Sequence, residues 1–139
     1  MSRTRRFIPA DEWSDARQRR GLAGEQAAIA FLTSCGWFIE SHRFRCGRHE
    51  IDLVIRKGEI VAFVEVKTRR TPVCGTPWEA ISLTKRRRIA KVAEIWTLRY
   101  GRPGDIYRFD AAAVWEDGYG LLNVEHLEDA WRIHWPARG

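Results

Sequence analysis

Sulfur chemistry is scarce in this chain. Its cysteines, Cys35, Cys46 and Cys74, are odd in number and show no CxxC spacing. That excludes a disulfide framework or a cysteine zinc site and points to reduced thiols in a cytoplasmic setting. No apolar run approaches the roughly 20 residues of a membrane span, and the basic start lacks the apolar stretch of a signal peptide. A cytoplasmic protein without a membrane partner is therefore expected. P-loop, GxGxxG and nucleophile-elbow motifs are missing. His42, His49, His126 and His134 have no HxxxH-type spacing, so each reads as a structural or surface residue. No internal repeat and no second domain are indicated.

Acidic residues are also in deficit: 24 basic against 18 acidic residues leave a net charge of +6. An anionic partner follows, with nucleic acid and an anionic membrane surface both fitting on charge. An apolar fraction of 45% with seven tryptophans demands a folded core. A chain of 139 residues is most simply one domain.

The organising stretch is His49–Lys67, HEIDLVIRKGEIVAFVEVK. Two apolar or alternating runs flank Arg56-Lys57-Gly58-Glu59, the pattern of a β-hairpin. A two-residue turn at Lys57-Gly58 would set Val54 opposite Val61, Asp52 opposite Phe63 and Glu50 opposite Glu65. With period 2, Glu50, Asp52, Val54, Val61, Phe63, Glu65 and Lys67 share one face. Ile51, Leu53, Ile55, Ile60, Ala62, Val64 and Val66 form a wholly apolar opposite face. Three carboxylates and a lysine thus gather at the end away from the turn. Facing like charges destabilise a strand pair unless something compensates, and a hard divalent ion is one compensation. On spacing alone, a solvated sheet face with a Lys67 salt bridge is the preferred reading, because exposed charges on antiparallel strands are ordinary.

Around this hairpin, Gly21–Cys35 reads as a helix capped by Gly36, with Leu22, Ala28, Ile29, Leu32 and Cys35 along its apolar stripe. Glu25 falls on that stripe, where a carboxylate needs a partner or a proton; a place at the stripe's solvated edge would also suit it. Trp37–Arg45 reads as a strand, followed by a turn at Cys46-Gly47-Arg48. After Lys67 come Arg69 and Arg70 and a loop marked by Pro72, Gly75 and Pro77. A helix from Leu83 to Tyr100 opens on Lys85-Arg86-Arg87-Arg88, four cations where the helix dipole disfavours them. Folding alone would not choose that arrangement, so an anion-facing role is favoured over a solvated face. Lys85, one turn before Ile89, is placed to point towards the charged sheet end. Asp105–Glu116 and Leu121–Leu127 read as strands, and Glu128–Trp135 as a short terminal helix.

This order of elements, with Glu25 on the helix, Asp52 on the hairpin and Glu65-Val66-Lys67 after it, resembles the PD-(D/E)xK nuclease superfamily. More closely, the chain is similar to the YraN-type family of uncharacterised bacterial proteins. The matching pieces are Gly24-Glu25 with Ala28, Glu50-Ile51-Asp52-Leu53-Val54 and Phe63-Val64-Glu65-Val66-Lys67-Thr68-Arg69. Lys85, Arg108-Phe109-Asp110 and His126-Leu127-Glu128-Asp129-Ala130-Trp131 extend the match over about residues 20–132. Two positions depart from the pattern: His49 stands where the family usually has glycine, and Ile51 precedes Asp52 where the superfamily's name has proline.

The resemblance implies an α/β fold with a restriction endonuclease-like αβββαβ core, a mixed central sheet flanked by helices. Residues 1–20 would be a basic flexible leader, 21–135 a single nuclease-like domain and 136–139 a tail. It implies Mg²⁺ or Mn²⁺ held by Asp52, Glu65, the Val66 carbonyl and Glu25, with Lys67 orienting or deprotonating the attacking water. Catalytic residues would then be Glu25, Asp52, Glu65 and Lys67. Arg69, Arg70, Lys85, Arg86, Arg87 and Arg88 would grip a nucleic-acid backbone, DNA in the first instance; a homodimer is left open. The expected function is a metal-dependent DNA phosphodiesterase acting on branched or damaged structures. The alternative is a non-catalytic nucleic-acid-binding or accessory module. A purely structural domain is a third reading, which leaves Glu25 and the clustered carboxylates unexplained.

Overall fold

The computed structural model describes residues 16–69 and 81–132, with side chains from Gly21 onward. The elements run α1 (Ala16–Ser34), β1 (Phe38–Cys46), β2 (His49–Lys57), β3 (Ile60–Arg69), α2 (Leu83–Tyr100), β4 (Ile106–Glu116) and β5 (Leu122–Trp131). The five strands form one sheet in the order β1-β2-β3-β4-β5. Only the central pair β3–β4 is parallel, so the sheet is mixed. This is an α/β fold. Among the described residues no helix is long and apolar enough to cross a membrane.

Both faces of the sheet are covered. Leu53, Ile55, Ala62, Val64, Ala112 and Val114 pack with Ala28 and Leu32 of α1. Val54, Val61, Phe63, Phe109, Ala111 and Ala113 pack with Ile89, Val92, Ala93 and Trp96 of α2. The even and odd positions of the strands thus feed two cores. Helix α2 has the bounds read from its sequence, with Ser82 as N-cap accepting the Lys85 N–H at 3.1 Å.

The structure corrects five expectations. Helix α1 begins at Ala16, not Gly21, and Cys35 lies just beyond it and exposed. The hairpin turn is Gly58-Glu59, with Lys57 opposite Ile60, not Lys57-Gly58. Gly58 has φ 61°, the conformation that a two-residue type II′ turn assigns to glycine at its first position. The register therefore moves by two residues, and Val54 faces Phe63. A shift of two leaves every residue on its face, whereas a shift of one would invert the strand. Ile51, however, joins the α2-side core with Phe44 and Val54 instead of following Leu53 and Ile55. The β2–β3 ladder stops at Leu53–Val64, and regular alternation stops with it. Finally, Glu128–Trp131 continues β5 and is not helical. Trp131 does cover a core edge, stacking on Phe109 at a centroid distance of 5.5 Å. The leader's first fifteen residues, Arg70 with the loop after it, His134 and the tail lie outside the described residues.

Candidate functional site

The site forms where β2 and β3 part. Beyond the last paired residues, Leu53 and Val64, Asp52 on β2 and Glu65 on β3 turn their carboxyl groups towards each other and share a hydrogen bond. Asp52 Oδ2 also accepts the Val66 N–H at 2.7 Å. That bond spans the opening fork and takes up a backbone donor that the ladder has released. Glu65 is 4% exposed. Burial first, and then the charge of Asp52, push the Glu65 carboxyl well above its usual range. Burial also raises Asp52, against the hydrogen bonds from Glu65 and Val66. Two carboxyl groups this close do not both ionise freely. The pair facing across the hairpin is thus Asp52 and Glu65, not Glu50 and Glu65. Glu50 instead lies opposite Arg45 on β1.

Two lysines complete the centre. Lys67, two residues along β3, hydrogen-bonds to Lys85 in the first turn of α2. Burial and then the Lys85 contact lower Lys67, while Lys85 is raised against its own burial by the Lys67 contact and then by the charges of Glu65 and Asp52. The inward course expected for Lys85 is what the structure has.

Glu25 reaches the same end of the sheet but faces a different partner. It is 6% exposed. Arg43 Nε lies 3.2 Å from both of its carboxylate oxygens and Nη2 2.6 Å from Oε2; His42 Nε2 is 3.4 Å from Oε1. Burial opposes ionisation of Glu25, yet the neighbouring His42 ring and the Arg43 guanidinium outweigh it and hold the carboxyl below its usual range. Helix α1 comes this close because residue 24 is glycine: a Cβ there would collide with the Thr68 hydroxyl. Arg43 itself has φ 55°, a left-handed conformation that disfavours a side-chain-bearing residue by roughly 1–2 kcal/mol. Outliers of this kind gather at functional sites.

Two clefts open on this centre. One, of about 350 Å³, is lined by Gly21, Glu25, Arg43, Asp52, Lys67 and Thr68 among others. The other, of about 460 Å³, is lined by Arg48, His49, Asp52, Glu65, Lys85 and Arg88 among others. Half-buried Asp52 belongs to both, so the sheet end is reached from the α1 side and from the α2 side. Of the expected nucleic-acid contacts, Lys85 and Arg88 line the second cleft, Arg86 is half-buried and Arg87 exposed near them, and Arg69 ends β3.

The structure thus brings Asp52, Glu65, Val66, Lys67 and Lys85 together. It leaves Glu25 one ion pair away. Among the described residues no group of three or more His, Cys, Asp or Glu is placed to hold a metal ion. Sequence reasoning passed over Arg43, His42 and Arg48. Counting outward from the Gly47 turn would have found Arg45 against Glu50, and hence Arg43 beside Asp52. A second polar cluster, Asp110 with Arg108, His126 and the Asp129 N–H, is fully buried at the acid and ties β5 to β4.

The model of the uncharacterised protein family UPF0102 matches residues 24–114. The chain belongs to that family. This is the YraN-type family its motifs resemble, and the matched span holds Glu25, Asp52, Glu65, Lys67 and Lys85. A UPF0102 protein of Symbiobacterium thermophilum is 41% identical over 113 residues, 81% of this chain and 96% of the relative. One from Nocardia farcinica is 42% identical over 112 residues, 81% and 88% of the two chains. One from Geobacter sulfurreducens is 36% identical over 126 residues, 91% and 98%. This UPF0102 chain is therefore similar to its relatives over nearly their whole length.

Proposed function

We propose that the protein hydrolyses phosphodiester bonds in nucleic acid, DNA in the first instance, with a divalent cation at the fork of β2 and β3. The carrying observation is that Asp52 and buried Glu65 face each other where the ladder ends and line one cleft, two like groups that folding by itself would keep apart. Their oxygens, with the Val66 carbonyl, suit Mg²⁺ or Mn²⁺, which takes one or two carboxylates and leaves its other positions to water and phosphate. Such an ion polarises a phosphoryl oxygen and acidifies bound water. The protein's own part is positioning and proton handling. Lys67, with its lowered affinity for a proton, would orient the attacking water and accept from it. Lys85 stays charged and faces the phosphate. Arg86, Arg87 and Arg88 hold the backbone through charge, without reading sequence. The restriction endonuclease-like core belongs to this reading, supported by the element order up to β4.

A second reading, a nucleic-acid-binding module without turnover, is favoured by one observation: Glu25 is already engaged by Arg43. Cleavage of branched, single-stranded and duplex DNA in Mg²⁺ or Mn²⁺ separates the two. Catalysis predicts a loss of about 10²-fold or more in Glu65→Ala and in Lys67→Ala. Metal-dependent cleavage surviving both changes marks a contaminant and overturns the proposal. Salt-sensitive binding that is indifferent to Glu65→Ala, with no turnover, establishes the second reading.

A further inference from the structure

We infer that Arg43 is a latch on Glu25 that a backbone phosphate of the substrate opens. This rests on Asp52 and Glu65 holding a divalent cation, and it adds how the third carboxylate joins them.

Glu25 lines the same cleft as Asp52, but both its oxygens are committed to one guanidinium. The clamp is not a core ion pair. Arg43 and Glu25 both line the cleft that Asp52 and Lys67 share, so an anion entering that cleft meets the guanidinium. A planar guanidinium fork fits phosphate as well as carboxylate. The backbone at Arg43 is left-handed, and its side chain lines the cleft. Gly24 lets α1 sit close enough for Glu25 to be reached at all.

If phosphate takes over the Arg43 donors, Glu25 keeps His42 as its partner among the described residues. Its charge already acts on Asp52. Released, it would add a third negative charge to the cleft it lines with Asp52, a stronger attraction for a cation than the pair alone. Phosphate and cation then favour each other's binding, and the coupling runs equally in both directions. In the absence of nucleic acid the latch keeps the site short of one ligand.

The test is Mn²⁺ binding to the full chain without nucleic acid, by calorimetry or electron paramagnetic resonance, in the unaltered protein and in Arg43→Gln. Glutamine keeps hydrogen-bond donors but not the charge or the fork. The latch predicts Mn²⁺ affinity higher by about fivefold or more, the lower end of ordinary coupling between sites. It also predicts that adding Glu25→Gln removes the gain. Duplex oligonucleotide binding by Arg43→Gln should lose about 0.9 from its slope of log affinity against log salt, one phosphate contact. Should Arg43→Gln not fold, Arg43→Lys serves, because it keeps charge without the fork and is expected to gain Mn²⁺ affinity too. Mn²⁺ binding that Asp52→Asn abolishes but that neither Arg43 variant strengthens overturns the latch alone. Mn²⁺ binding that is absent, or indifferent to Asp52→Asn, overturns the cation reading and the latch with it.

Discussion

The two ends of the β2–β3 hairpin hold their charged groups in opposite circumstances. At the turn end, buried Arg56 lies between two carboxylates, with Nε 2.7 Å from Glu40 and its Nη atoms 2.6 and 2.9 Å from Asp105. Asp105 also accepts the Arg102 N–H at 2.8 Å. The hydrogen bond from Arg56 foremost, and then that from Arg102, hold the Asp105 carboxyl down to about 2, while Arg56 is raised. At the fork end, Asp52 and Glu65 face each other and both are raised. The turn end is what a fold builds when stability is the only demand, since every buried charge has its opposite. The fork end keeps like groups together, which folding disfavours and which a bound cation would reverse. The cation proposed for the fork would account for that difference.

The largest effect should come from breaking the balanced end. Arg56→Ala leaves Glu40 and Asp105 without their shared cation, and removing one member of a buried pair costs about 3–5 kcal/mol. Urea unfolding should show a lower midpoint with an unchanged slope. The folded fraction should bind Mn²⁺ as before, because the fork is at the other end of the strands. A loss below about 1 kcal/mol would mean that the turn-end cluster is no better balanced than the fork.

A smaller loss should follow Gly24→Ala, which acts only on the fork. The added methyl meets Thr68, and forcing volume into a tight contact costs about 1–3 kcal/mol. Thr68→Ala in the same chain should recover much of it, measured as a double-mutant cycle in chemical denaturation. Simple additivity of the two changes would show that α1 and β3 do not touch there.

Much of this contrast was legible in the residues. Period-2 alternation survived the wrong turn as far as the ladder runs, to Leu53 and Val64, because a register error of two residues leaves faces intact; counting on by two then sets Asp52 and Glu65 at the same end. Helix α2 was fully readable from its apolar spacing and its glycine stop. Three things were not. The turn position depends on which residue takes a positive φ, and the Lys57-Gly58-Glu59 run offers two phasings. β5 reaches Trp131 through a kink at Asp129, φ 53°, whose N–H binds buried Asp110; a strand held by a side chain so far away has no local signature. The capture of Glu25 by Arg43 likewise needs the meeting of α1 and β1, which only the assembled sheet supplies.

The smallest expected effect has the most informative sign. Glu65 takes up a proton more readily in the fold than in the unfolded chain. Its charge therefore opposes folding once pH rises above the usual carboxylate value of 4.5, and the penalty vanishes below that, where both states are protonated. Glu65→Gln should stabilise the cation-free protein by about 1 kcal/mol at pH 8 and leave it unchanged near pH 4, while abolishing stabilisation by added Mn²⁺. Asp105 is the reverse case. Its depressed carboxyl contributes stability that is complete above 3.8 and is lost as pH falls towards about 2. Asp105→Asn should therefore destabilise at pH 8, with the difference from the parent shrinking as the buffer approaches pH 2. Thermal melts of both variants in one buffer series decide the matter. Opposite signs at pH 8 are expected from a balanced end and a strained one. Two losses of equal size would make the fork an ordinary hydrogen-bonded pair and remove the main support for a cation site.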